Sequence, residues 1–269
     1  MAIYNCDERI PEDINRLLEG REYTVDDTGQ SGAAVWFFED MVLKAEKADE
    51  STAGSVAMLR WLKGRLPVPE VLACEVSGET HYLLMSRARG EMLCAPGNMT
   101  METIEKTVEL YAEALKLLWQ VDISDCPRIY SLEDDLAKAR RKLERGEFDM
   151  DDCEPETFGP GGFESPEKLL EWLENNKPEP ETVLSHGDFC MPNVFVENGC
   201  VSCYIDVGGM GAGDRWRDIA LCWRSLKHNC SGMYTGVDLG DRTELLFEKL
   251  GIAPDWDKIR YYVLLDEFF

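Results

Sequence analysis

Residues 184–221 read LSHGDFCMPNVFVENGCVSCYIDVGGMGAGDRWRDIAL. Leu184 and Ser185 end a short strand that runs into the loop HGDFCMPN. Residues 194–196 and 201–207 are apolar or alternating on either side of Asn198-Gly199. That dipeptide suits a tight hairpin turn because both positions accept positive φ. The spacing therefore predicts a loop, a hairpin and a second, glycine-rich loop, GGMGAG. Asp188 and Asn193 fall at one end of the hairpin, and Asp206, closing its second strand, returns to that end.

An Asp, an Asn five residues later and an Asp beyond a hairpin form the set that kinase-type phosphoryl transfer requires. A carboxylate orients the attacking hydroxyl, while an amide oxygen and a second carboxylate hold the Mg²⁺ that bridges the phosphates. Asp188 is assigned the first role, and Asn193 and Asp206 the metal. Taken singly each would be an ordinary turn or cap residue; their order matches a kinase catalytic loop followed by its metal-binding Asp. His186 and Gly187 stand where that loop carries His and Arg.

Upstream, residues 23–27, 35–40 and 41–46 read as strands, with the loop TGQSGAA after the first and a turn at Glu39-Asp40. A Gly/Ser loop followed by a strand lysine is how a kinase N-lobe grips nucleotide phosphates, which points to Ser31 and Lys44. A helix over 51–63 ends at Gly64 and the Pro67-Val68-Pro69 turn. Strands at 71–76 and 81–86 complete a sheet of about five. After Gly90 the pattern turns helical, with Ile104, Val108, Tyr111, Leu115 and Leu118 spaced as a buried stripe. A charged helix over 132–145 precedes an irregular acidic segment, residues 148–164, and further helices are expected over 216–227 and 255–269.

HGDFCMPN, IDVGGMGAGDRWRDIAL and the closing YYVLLDEFF resemble the aminoglycoside 3'-phosphotransferase family of antibiotic kinases, over nearly the whole chain. The resemblance implies an α+β, bilobal protein-kinase-like fold: an N-lobe antiparallel sheet with one helix over residues 1–89, binding nucleotide, and a mostly helical C-lobe over 90–269. It implies ATP, with GTP as an alternative, and Mg²⁺ as cofactors, and transfer of the γ-phosphoryl group to an aminoglycoside hydroxyl, the 3' one foremost. Backbone groups of Ser86 and Ala88 would meet the adenine edge, and Val42 would give it apolar contact. Glu154 and Glu156 would lie in the antibiotic pocket wall. Asp266, Glu267 and the carboxylate of Phe269 would face the cationic aminocyclitol, and Asp218 would tie down the catalytic loop.

Three positions depart from the family. Where relatives carry a helix Glu that pairs with the strand lysine, this chain has Ser55; Glu46 and Glu50 are alternative partners. Met191 stands where some relatives have an acid, and Gly209 where a basic side chain follows the metal Asp. A kinase for another small molecule, such as a macrolide or an amino alcohol, and a degenerate kinase that binds without turnover remain alternatives.

At 269 residues with a net charge of −24, the chain repels nucleic acid and favours a polycationic partner. The sequence carries no apolar run of membrane-spanning length and no signal pattern, which predicts a cytoplasmic protein, monomeric or weakly dimeric, that engages small molecules rather than membranes. Its ten cysteines are scattered, and Cys200 and Cys203 form a lone CxxC, so reduced thiols are expected.

Overall fold

In the computed structural model, which describes residues 2–26, 33–234 and 236–269, helices and strands follow the predicted periodicities closely. In chain order the first part contains β1 (Ala2–Ile3), α1 (Glu12–Leu18), β2 (Glu22–Asp26), β3 (Ala34–Phe37), β4 (Met41–Lys47), α2 (Glu50–Leu62), β5 (Val71–Ser77), β6 (Thr80–Ser86) and β7 (Glu91–Met92). Then follow α3 (Ile104–Trp119), α4 (Leu132–Arg145), α5 (Pro166–Asn175), β8 (Thr182–Ser185), β9 (Val194–Glu197), β10 (Cys200–Tyr204), β11 (Gly211–Asp214), α6 (Arg215–Cys230), α7 (Thr243–Leu250) and α8 (Trp256–Asp266). The fold is α+β and kinase-like. The chain divides into two compact units, Met1–Leu93 with Pro192–Met210, and Cys94–Met191 with Gly211–Phe269.

In the first unit six antiparallel strands run in the order β1-β2-β3-β4-β6-β5. Five match the sequence expectation; the sixth, β1, is two exposed residues, too short to show any alternation. Strand β4 shows why one face of the sheet is core. Leu43 and Ala45 point into a cluster with Tyr4, Phe38, Tyr82 and Leu84, while Lys44 and Glu46 point to the other face. Helix α1 packs into that cluster, with Ile14 and Leu18 fully buried in it. Helix α2 starts on a reciprocal cap in which Asp49 and Thr52 satisfy each other's backbone N–H groups.

The hairpin β9–β10 turns at Asn198 (φ 52°) and Gly199 (φ 77°), as the dipeptide requires. It pairs with β7 to make a three-stranded sheet within the first unit, and Tyr204 N–H donates to Pro67 O at 2.8 Å.

The second unit is mostly helical. The predicted stripe Ile104, Val108, Tyr111, Leu115 and Leu118 is fully buried on α3. Helix α4 spans the predicted residues, begun by the Ser131 side chain and ended by left-handed Gly146. Only part of the predicted glycine-rich loop is loop. Gly211–Asp214 is a strand antiparallel to β8, because residues 128–130 lie against it. A Cβ on Gly211 would stand 3.1 Å from Arg128 O, so glycine here is a matter of close approach.

Candidate active site

Ser185, His186, Gly187 and Asp188 continue from the end of β8, and one residue of α6 holds them. Asp218, fully buried, accepts hydrogen bonds from Ser185 Oγ (3.0 Å), His186 N–H (2.7 Å) and Gly187 N–H (2.9 Å). Burial pushes the Asp218 carboxyl above its ordinary value, against the hydrogen-bond donors of the loop that favour its ionised form. Downstream, Phe189 stacks on Tyr111, whose hydroxyl donates to Phe189 O at 3.1 Å, and Met191 N–H donates to Ser225 Oγ at 3.0 Å. A loop pinned on both sides leaves Asp188 exposed at its tip. Asp218 thus has the tethering role expected of it.

Asn193 and Asp206 belong to the other unit and are brought together by the hairpin. Ile205 N–H donates to Asn193 O at 3.0 Å. Asn193 is buried and Asp206 exposed. Asp206 does not close β10 as the sequence suggested; it sits two residues beyond, in the left-handed region (φ 56°, ψ 41°) before the 3-10 turn Val207–Gly209. A non-glycine residue held there costs about 1 kcal/mol or more, and such residues concentrate at functional sites. An amide oxygen and an exposed carboxylate are hard donors few enough to leave room for phosphate oxygens and water, which fits Mg²⁺.

Lys44 lies on β4 with its Nζ 2.9 Å from Glu46 Oε2. Ser86 spends its N–H on Glu70 O (2.9 Å), so of its backbone groups it could offer a base only its carbonyl; Ala88 lies two residues beyond β6. Ser31, expected to hold phosphates, lies outside the described residues.

The five residues expected to hold an acceptor all belong to the second unit. Glu154, half-buried, pairs with His228 Nε2 at 3.1 Å, and Asp266 pairs with Arg224. Glu267 accepts from Thr157 Oγ1 (2.7 Å) and from the Glu154 N–H (3.2 Å), so it anchors the irregular segment to the end of α8. Its burial raises its pKa in spite of those donors. Glu156 is exposed, and with Glu154, Arg224, Lys227, His228 and Trp223 it lines a cavity of about 280 Å³. Phe269 is exposed, its ring under Lys142 Nζ at 5.9 Å. These partners were not foreseen: Arg224 and His228 sit one turn apart on α6, a spacing visible in the sequence without any sign of what each contacts.

Comparison with solved structures defines the class first. A type VIII aminoglycoside-3'-phosphotransferase superposes with a TM-score of 0.80 at 26% identity, over 96% of this chain and 97% of that one. An aminoglycoside phosphotransferase from Streptomyces rimosus gives 0.77 at 24% identity, over 91% and 92%, a likeness of fold. These are phosphotransferases of kinase-like fold. Residues 18–261 match the family model described as "Phosphotransferase enzyme family", and the chain belongs to that family. Among its relatives are aminoglycoside 3'-phosphotransferases from Enterococcus faecalis, 40% identical over 97% of this chain and 98% of that protein, and from Staphylococcus aureus, 39% identical over the same shares. Among the described residues no helix is long and apolar enough to cross a membrane.

Proposed function

We propose that this enzyme transfers the γ-phosphoryl group of ATP to a hydroxyl of an aminoglycoside, the 3' hydroxyl foremost, and so confers resistance to it. The observation that carries this reading is the 40% identity, across 97% of the chain, to a protein named aminoglycoside 3'-phosphotransferase. Residues 1–89 supply nucleotide binding and 90–269 the acceptor site, in a cytoplasmic protein.

Asp188, on its pinned loop, accepts a hydrogen bond from the acceptor hydroxyl and aims its lone pair at the γ-phosphorus. The transition state is loose, so this carboxylate chiefly orients and takes the proton late. Lys44 and Ser31 hold the phosphates, and Ser86 and Ala88 the base. Asn193 and Asp206 would hold Mg²⁺, which neutralises charge gathering on the phosphate oxygens. Glu154, Glu156, Asp266, Glu267 and Phe269 meet the amino groups of the acceptor, which for Glu154 and Asp266 means exchanging His228 and Arg224 for a substrate ammonium.

That exchange also supports a second reading. An acceptor with fewer ammonium groups, such as a macrolide or amino alcohol, would leave the Glu154–His228 and Asp266–Arg224 pairs intact. Steady-state ADP or GDP release with Mg²⁺-ATP or Mg²⁺-GTP separates the two. Turnover on kanamycin and neomycin, but not on the 3'-deoxy compound tobramycin, is expected. Turnover only on a macrolide or amino alcohol would overturn the aminoglycoside assignment. Asp188→Ala should abolish turnover and leave the nucleotide Kd unchanged.

A further inference from the structure

A phosphate-gripping lysine works only if its flexible stem is held. An ammonium on four methylenes keeps its place when a carboxylate fixes it from the side away from the phosphates. Helix α2 does not supply that carboxylate. At the expected place stands Ser55, whose hydroxyl turns back to donate to Ser51 O on its own helix at 2.9 Å. Nor does this position leave room for a larger pair of side chains. A Cβ built on Gly208, two residues after Asp206, would stand 3.0 Å from Ser55 Oγ, so helix and loop pack here through small residues.

Strand β4 provides the acid instead. Lys44 and Glu46 are two apart and share a face of the sheet, with Nζ 2.9 Å from Oε2, both side chains about three-quarters buried. Glu46 has a histidine for its cross-strand neighbour. His81 lies directly across from it on β6, buried, with Nδ1 3.9 Å from Oε1. The other ring nitrogen of His81 shares a hydrogen bond with Cys74 Sγ at 3.2 Å, which fixes the imidazole on that face. Glu50, the other acid considered from the sequence, is exposed at the start of α2.

We propose that Glu46 is the residue that positions Lys44 on the nucleotide phosphates, in place of a helix glutamate. This rests on the nucleotide-binding role proposed for Lys44 and not on the identity of the acceptor. The pair lies within one strand, so its loss should disturb phosphate binding much more than folding.

A double-mutant cycle tests it: wild type, Glu46→Gln, Lys44→Met and the double variant, read by the calorimetric Kd for ATP with Mg²⁺ and by kcat/KM. Glu46→Gln should weaken ATP binding and lower kcat/KM for ATP about tenfold, the size of one lost charged hydrogen bond. KM for the acceptor and Tm should stay near wild type. In the Lys44→Met background the same change should have no further effect on either quantity, because the group it positions is gone. Glu46→Asp should retain more ATP affinity than Glu46→Gln, and Glu50→Gln should match wild type. Equal effects of Glu46→Gln with and without Lys44, or a loss of Tm with the ATP Kd unchanged, would overturn the proposal. The Kd cycle needs no acceptor, so a wild type that binds ATP but turns over no aminoglycoside would refute the acceptor assignment and still judge Glu46.

Discussion

Two carboxylates of the second unit, Asp218 fully buried and Glu267 half-buried, have environments that predict different behaviour. Asp218 satisfies three donors with two oxygens, two of them backbone N–H groups of the loop that carries Asp188. Asparagine keeps one acceptor oxygen and sets an N–H₂ against donors. Asp218→Asn should therefore cost about 2–4 kcal/mol of stability, by the desolvation of buried groups left unpaired. Chemical denaturation would measure it, and turnover should fall with the loop's order. Glu267 gives a pH effect. Its ordinary value is 4.5, and burial raises it in the folded protein. The folded carboxyl therefore binds its proton more tightly than the unfolded one. Its contribution to stability is complete below that ordinary value and is lost as pH rises through the raised one. Glu267→Gln, which keeps one acceptor oxygen for Thr157 and Glu154 but carries no charge, should lack this pH-dependent loss. The Tm of wild type minus that of the variant should thus decline as pH rises from the ordinary carboxylate value toward neutrality; a difference constant with pH would show that Glu267 is not strained by burial.

Among elements, the hairpin β9–β10 depends on a glycine outside it. Gly90 has φ +85°, and a Cβ there would lie 2.2 Å from Val196 O on β9. Gly90→Ala must both adopt a left-handed backbone and push away the strand that follows Asn193. A loss of at least about 2 kcal/mol is expected, the left-handed penalty plus displacement of a packed backbone. Denaturant midpoints would check it, and Gly146→Ala, also left-handed but with open space around it, should cost less. The same comparison shows what could be read from the sequence. Local signals were legible: the Asn198-Gly199 turn, the charged helix over 132–145, and the 3.6-residue stripe on α3. Elements whose cause lies elsewhere in the chain were not. Strand β11 is glycine-rich because residues 128–130 press on it, which no local pattern records. Helix α5 did carry a signal, Ser165 capping and Pro166 at its first position, and the acidic, glycine-rich run before it obscured that start. For the proposed site, Asp188, Asn193, Asp206 and Lys44 were singled out by order and spacing. The partners of Glu154 and Asp266 were not, since pairing across 74 and 42 residues is decided by packing.

For the molecule as a whole, the relevant quantity is its charge. Of the acids near the proposed acceptor cavity, Asp266 is paired with Arg224 and Glu154 contacts His228, while Glu156 is exposed. The net charge of −24 is instead a property of the full chain, and it acts at range. Such a field raises the encounter rate of polycations and is weakened by salt, as the screening length shrinks from about 30 Å at 0.01 M to about 10 Å at 0.1 M ionic strength. ATP with bound Mg²⁺ remains an anion and gains nothing from an acidic surface. The two substrates should therefore respond oppositely. Raising ionic strength from about 0.01 M to about 0.3 M should lower kcat/KM for kanamycin by about tenfold, while kcat/KM for ATP holds or rises. Initial rates with the other substrate saturating would separate the two. An equal decline for both would indicate that salt acts on the fold or on the pinned Asp188 loop; no decline for kanamycin would mean that the acidic surface serves solubility alone.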